Sequence, residues 1–273
     1  MRLILFKNWA NSPLRAAPDA GFGMIDAMRA HRAPLLTVLA ALLTGGGVMG
    51  AAAAPPFEDS MAQRVLACTA CHGDQGRAGP DGYYPRLAGK PAGYLFAQMQ
   101  GFRDGRRHYP QMVYLMRNWD DAWLARIASF FAAQPGVVPR HAPPPVQSAA
   151  DRSRAETLVH EGDRGRELPA CASCHGPQLQ GREPGVPALA GLPTDYLIAQ
   201  LGGWMTGARH SIEPDCMARV VARLDPAEVR RIATYLAGLV PEPDSRPLEA
   251  SAEPLPLDCG GATRFDPARG VAP

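Results

Sequence analysis

The sequence predicts two tandem all-α domains related by internal duplication. Three observations carry that reading. A segment recurs 102 residues further along the chain, and apolar residues fall at helical spacing with no sustained period-two alternation. A five-residue cysteine–histidine motif also occurs once in each half.

The chain has 273 residues, 46% of them hydrophobic but only 7% aromatic, with 28 Gly, 28 Pro and a net charge of +2. A charge so close to zero argues against a nucleic-acid binder, which needs a basic face. Few aromatics for two cores suggest that something besides side chains fills them.

Residues 1–54 read as a targeting segment. Arg29, His31 and Arg32 precede the apolar run Leu35–Leu43, then come Gly45–Gly47 and Ala51–Ala54. A basic start, a short apolar run and small residues make an export signal cleaved near Ala54. Met28 is its natural start, so residues 1–27 read as an over-long reading frame. The alternative, an uncleaved anchor, has an apolar run short of the roughly 20 residues a span needs. Without residues 1–54 the chain keeps 23 basic and 24 acidic residues, and Lys90 is its only lysine.

The repeat pairs Tyr84–His108 with Val186–His210, identical at 13 of 25 positions. The expected organisation is a first domain over 55–138, a Pro-rich spacer over 139–150, a second domain over 151–241 and a Pro-rich tail over 242–273. Helical spacing links Leu95, Met99 and Phe102, then Leu124, Ile127, Ala128 and Phe131. In the second half it links Leu197, Leu201 and Trp204, then Val229, Ile232, Ala233 and Leu236. Asp120 and Asp225 stand at helix N-cap positions. The Gly-rich stretch 73–82 reads as an irregular loop, and the tail as a surface wrap or a partly disordered segment.

The chemistry lies in Cys68-Thr69-Ala70-Cys71-His72 and Cys171-Ala172-Ser173-Cys174-His175, 103 residues apart. C-x-x-C-H is the attachment motif of haem c. One helical turn sets both thiols against the two vinyl groups of one porphyrin, and the next residue reaches the iron. Neither a redox C-x-x-C nor a zinc site accounts for the following His, the duplication and the export signal together. Two covalently bound haem c groups are therefore expected, with His72 and His175 as axial ligands.

Each iron needs a sixth ligand, commonly Met or His. Met112 and Met217 each lie seven residues before an equivalent apolar position, Trp119 and Leu224. Met116 is the rival in the first half, while Met99 and Met205 fall where core residues belong. The duplicated His108 and His210 are alternative ligands, though each follows a Gly-Arg stretch that suits an exposed role. Pro85 and Pro187 follow the axial histidines by 13 and 12 residues, and their carbonyls are candidate acceptors for the second ring N–H. Arg107 and Arg209 are candidates to pair with haem propionates. Cys216 and Cys259 remain, either as a disulfide across the Met217 side or as free thiols.

These motifs resemble the cytochrome c4 family over residues 57–240. The resemblance rests on CTACHG and CASCHG, on YPRLAG-x-x-x-x-YL-x-x-Q and VPALAG-x-x-x-x-YL-x-x-Q, and on a Met seven residues before each last helix. It implies two class I cytochrome c domains, His/Met ligation in each, and haems close together near a pseudo-twofold interface. The chain departs from the family pattern at WDDAW, at YPQMVYLM, and at Cys216 with the extended tail.

The function expected is that of a periplasmic carrier, soluble or peripherally membrane-associated. It would pass single electrons from a donor such as a quinol–cytochrome c reductase or a dehydrogenase to an acceptor such as a terminal oxidase. It would not be an enzyme itself. The alternative is the cytochrome subunit of a periplasmic dehydrogenase complex. A dihaem peroxidase would need one iron with an open position.

Overall fold

A computed structural model describes residues 58–79, 82–136, 141–242, 246–262 and 265. The export segment expected over 1–54 lies outside the described residues. Among the described residues no helix is long and apolar enough to cross a membrane.

The first half builds α1 (Met61–Arg64), α2 (Leu66–His72), α3 (Ala92–Arg103), α4 (Pro110–Met116) and α5 (Asp121–Ala132). The second builds α6 (Ala149–His160), α7 (Cys171–His175), α8 (Thr194–Met205), α9 (Cys216–Val221) and α10 (Pro226–Ala237). Single 3₁₀ turns follow α2 at Asp74–Gly76 and α6 at Arg164–Arg166. The only strand-like pairings among the described residues are isolated bridges.

Each half closes over its own core. In the first, α3 packs against α4 and α5. The apolar spacing of α5 has a direct consequence here: Leu124, Ile127, Ala128 and Phe131 are all buried, beside Leu95, Met99 and Phe102 of α3. In the second, α10 packs against α6 and α8. Val229, Ile232, Ala233 and Leu236 are buried, as is Leu197. Leu201 and Trp204 are only half-buried, because Trp204 faces Arg209 (3.8 Å to the ring) and donates Nε1–H to Asp215 (3.1 Å).

Caps explain where the last helix of each half begins. Asp120 Oδ1 accepts from the Trp123 N–H at 2.8 Å. Asp225 Oδ1 accepts from the Glu228 N–H at 2.7 Å, and the Glu228 carboxylate accepts from the Asp225 N–H in return, a capping box. Asp120→Ala is expected to lower stability by about 1 kcal/mol, read as the urea midpoint of the haem-loaded protein.

Three features refine the expected organisation. The Pro-rich spacer ends at Ser148, whose hydroxyl accepts from the Asp151 N–H at 3.1 Å, so Ala149 and Ala150 belong to α6. In the first half α1 and α2 nearly abut, whereas in the second the segment 161–170 separates α6 from α7. The tail is ordered at fixed points. Leu248 exchanges backbone hydrogen bonds with Gly181 and Glu183, and the Gly260 N–H donates to the Pro214 carbonyl. The Phe265 ring lies 5.6 Å from that of Phe96 in the first half.

Candidate functional site

The first centre is the C-terminal turn of α2. Cys68 and Cys71 are one helical turn apart and both are unpaired cysteines. His72 is buried and ends the helix. Its Nδ1 lies 2.7 Å from the Pro85 carbonyl. A carbonyl only accepts, so Nδ1 carries the proton and Nε2 is left with a free lone pair. Burial also lowers the pKa of His72, against the raising effect of the Pro85 hydrogen bond. The ring is thus held neutral, the form that binds a metal.

The loop after His72 must turn back at once. The Ala78 N–H donates to the His72 carbonyl, and the Leu87 and Ala88 N–H groups both donate to Gly76. Gly73 makes this possible: its φ is +74°, and a Cβ there would meet the Ala78 carbonyl oxygen at 2.8 Å.

The second centre repeats the design on α7. His175 is buried, and its Nδ1 lies 2.7 Å from the Pro187 carbonyl. Cys171 and Cys174 are one turn apart and unpaired. Burial pushes the thiols of Cys68 and Cys171 up to about 11. A redox C-x-x-C needs a shift the other way, because its nucleophile is a thiolate. Attachment through sulfur fits these cysteines better.

Met112 and Met217 occupy matching places. Each lies half-buried in the first turn of its helix, α4 and α9. Met112 and Cys68 both border the first core. Met116, one turn after Met112, is 2% exposed and belongs to that core. Met99 is core as well, and Met205 is exposed. His108 and His210 are both exposed. Cys216, immediately before Met217, is disulfide-bonded to Cys259. The tail is thereby tied to the helix that carries Met217.

The duplicated residues meet one another across a seam between the halves. Arg107 and Arg209 face each other in an antiparallel bridge, and the His210 N–H donates to the Arg106 carbonyl at 2.7 Å. Gln200 Oε1 accepts from both Arg107 and Arg209, and Gln98 Oε1 accepts from Arg209 at 2.8 Å. Tyr94 and Tyr196 stand half-buried beside these guanidinium groups. Gly93 admits the approach: the neighbouring Tyr94 N–H donates to the Pro184 carbonyl, which a Cβ on Gly93 would meet at 2.6 Å.

Two further cations stand at this seam, Arg86 and Lys90, both buried. Among the described residues, none of Arg86, Lys90, Arg107 and Arg209 forms an ion pair. Buried cations without a counter-charge are costly. A group bearing carboxylates fits them, as haem does through its propionates. With the two C-x-x-C-H turns and the neutral imidazoles, the residues present therefore suit haem c. Sequence reasoning picked out Arg107 and Arg209 because they are duplicated. It passed over Arg86 and Lys90, which are Ala188 and Leu192 in the second copy.

Comparison with known proteins agrees with this chemistry. A family model for cytochrome c matches residues 162–239, within the second half. A thiosulfate dehydrogenase electron acceptor from Thiomonas intermedia is 33% identical over 224 residues, covering 81% of this chain and 97% of the relative. A cytochrome c4 from Pseudomonas aeruginosa is 32% identical over 204 residues, covering 74% of this chain and 98% of the relative. The crystal structure of reduced recombinant cytochrome c4 from Pseudomonas stutzeri superposes with a TM-score of 0.55. Its identity is 28%, over 66% of this chain and 96% of that one.

Proposed function

We propose, for a chain that belongs to the cytochrome c4 family of electron-transfer cytochromes, that each half holds one covalently attached haem c and that the pair relays single electrons in the periplasm. The observation that carries this reading is the twice-built turn in which a buried C-x-x-C-H histidine gives its Nδ1 proton to a proline carbonyl. Haem supplies a one-electron iron couple when bound.

The chain's own residues do the rest. Cys68 and Cys71, and Cys171 and Cys174, form the thioether links. His72 and His175 keep Nε2 unprotonated for the iron because Nδ1 is committed to Pro85 and Pro187. Met112 and Met217 would supply the remaining iron ligands. Met116 is 2% exposed and belongs to the first core. In each half, an iron held by His and Met would have no open position for a substrate. The protein then sets potential and spacing rather than making bonds.

The likeness to a thiosulfate dehydrogenase electron acceptor supports such a dehydrogenase as the electron donor. A terminal oxidase suits the acceptor side. The basic, apolar and small-residue run before residue 54 supports export.

Haem content tests the reading. A pyridine haemochrome assay and the intact mass are expected to show two covalent haems per chain. Replacing Cys171 and Cys174 together by Ala is expected to leave one. A wild-type chain with fewer than two haems would overturn it. Stopped-flow reduction by a thiosulfate dehydrogenase with thiosulfate, set beside reduction by a quinol–cytochrome c reductase, tells the donors apart.

A further inference from the structure

We propose that Arg86 and Lys90, two buried cations that the second half lacks, bind the propionate carboxylates of the first half's haem and make that haem the one reduced first. This rests on the two-haem reading above.

The repeat itself shows the asymmetry. Arg107 is matched by Arg209, so this pair gives each half one cation. Arg86 is matched by Ala188 and Lys90 by Leu192, so those two charges belong to the first half alone. Both are well buried, with 7% and 3% of their surface exposed.

Among the described residues their surroundings lack an anion and hold unused polar atoms. Arg86 directs Nη1 to the Ala88 and Gly136 carbonyls, while its Nε is buried without a partner. His141 Nδ1, in the same cleft between Tyr84 and Leu192, is also buried without a partner. Lys90 has its ammonium 5.8 Å from the Tyr94 ring centre and shares the seam with Arg86, Arg107 and Arg209. Burial and these three like charges hold the Lys90 amino group down to about 7, and burial holds Arg86 down to about 10. Carboxylates placed here would relieve both groups. The planar guanidinium of Arg86 can take a carboxylate through two parallel hydrogen bonds.

Arg86 also follows directly on Pro85, whose carbonyl holds His72. The basic pocket therefore begins one residue after the carbonyl that holds the first axial histidine, which ties the pocket to the first haem. Reduction adds one electron from the donor protein to one ferric iron, with no bond made or broken. The added negative charge is favoured by nearby positive charge, the more so where water is excluded. Ala188 and Leu192 offer no such charge to the second haem.

The test is a redox titration of the haem-loaded protein that follows each haem separately through the NMR signal of its ligand methionine methyl. In the wild type, the first haem's signal is expected to change first. Arg86→Ala with Lys90→Leu copies the second half into the first. It is expected to lower the first haem's reduced-to-oxidised ratio at fixed potential about tenfold (about 59 mV for one electron), with a smaller change at the second. Lys90→Gln, a milder variant that stays polar, must shift the first haem in the same direction. Ala188→Arg with Leu192→Lys must raise the second. A wild type whose second haem reduces first would overturn the proposal while leaving the two-haem reading intact. So would variants that move both haems equally or neither. A chain carrying fewer than two haems would sink both.

Discussion

Met112→Ala and Met217→Ala are each expected to remove the methionine-sulfur absorption band of one haem, while Met116→Ala leaves both bands in place. The thioether is a soft, neutral ligand that favours ferrous iron, so its loss lowers the potential. We expect a fall in the reduced-to-oxidised ratio on the order of 100-fold, about 120 mV at 59 mV per tenfold for one electron. The geometry separates the candidates in the first half. Met112 stands half-buried in the first turn of α4, as Met217 does in α9. Met116 closes α4 and is packed with Leu124 and Phe131. Met116→Ala should therefore act on stability, by about 2–5 kcal/mol for a buried Met truncated to Ala. Optical spectra and potentiometric titration of the three variants decide the matter. A first-haem band that survives Met112→Ala and is lost in Met116→Ala would move the ligand by one turn.

Much of the architecture was legible because it is local. Asp120 and Asp225 cap helices through their own side chains, and a capping residue acts within three positions of itself. Leu124 to Phe131 and Val229 to Leu236 lie on one face of a helix, and a period of 3.6 can be read from sequence alone. The positions of Pro85 and Pro187 stood out because both follow their histidines at nearly the same distance.

Other parts depend on contacts between distant segments. An internal repeat says that Gln98 and Gln200 are equivalent, but not that Arg209 bonds both. Equivalence and contact coincide here because a twofold seam brings like residues to one place. Nor does alignment show burial, so the sequence marks Lys90 only as the lysine left after residue 54. The tail was hardest, since Leu248 and Phe265 bind through backbone pairing and one ring contact with no periodic signal.

Glu228 shows the same limit with a large effect on stability. Within the Asp225 capping box its role is local, since its carboxylate accepts from the Asp225 N–H. In the fold its side chain, 6% exposed, takes two hydrogen bonds from Arg166 at 2.9 Å each and one from Arg154 at 3.0 Å. Arg166 lies in the 161–170 segment that the first half lacks, and it also donates to the Arg223 carbonyl at 3.1 Å. One carboxylate thus joins α6, the segment before α7, and α10. The Arg166 hydrogen bonds lead in holding Glu228 down to about 2, burial opposes them, and Arg154 and the Asp225 N–H add to the lowering. A folded pKa below the unfolded value means stability that is present above about 4.5 and lost as pH falls toward about 2. That difference would be worth about 3 kcal/mol at neutral pH if unscreened, and about half of that with Arg154 and Arg166 partly exposed to water. Glu228→Gln should remove it and leave Arg166 facing an uncharged amide. The urea midpoint at pH 7 is expected to fall accordingly, and the variant's stability should change less between pH 5 and pH 3 than the wild type's. An unchanged midpoint, or an equal acid dependence in both proteins, would show that Arg154 and Arg166 are satisfied by Asp163 alone, which accepts from both at 3.1 and 3.0 Å.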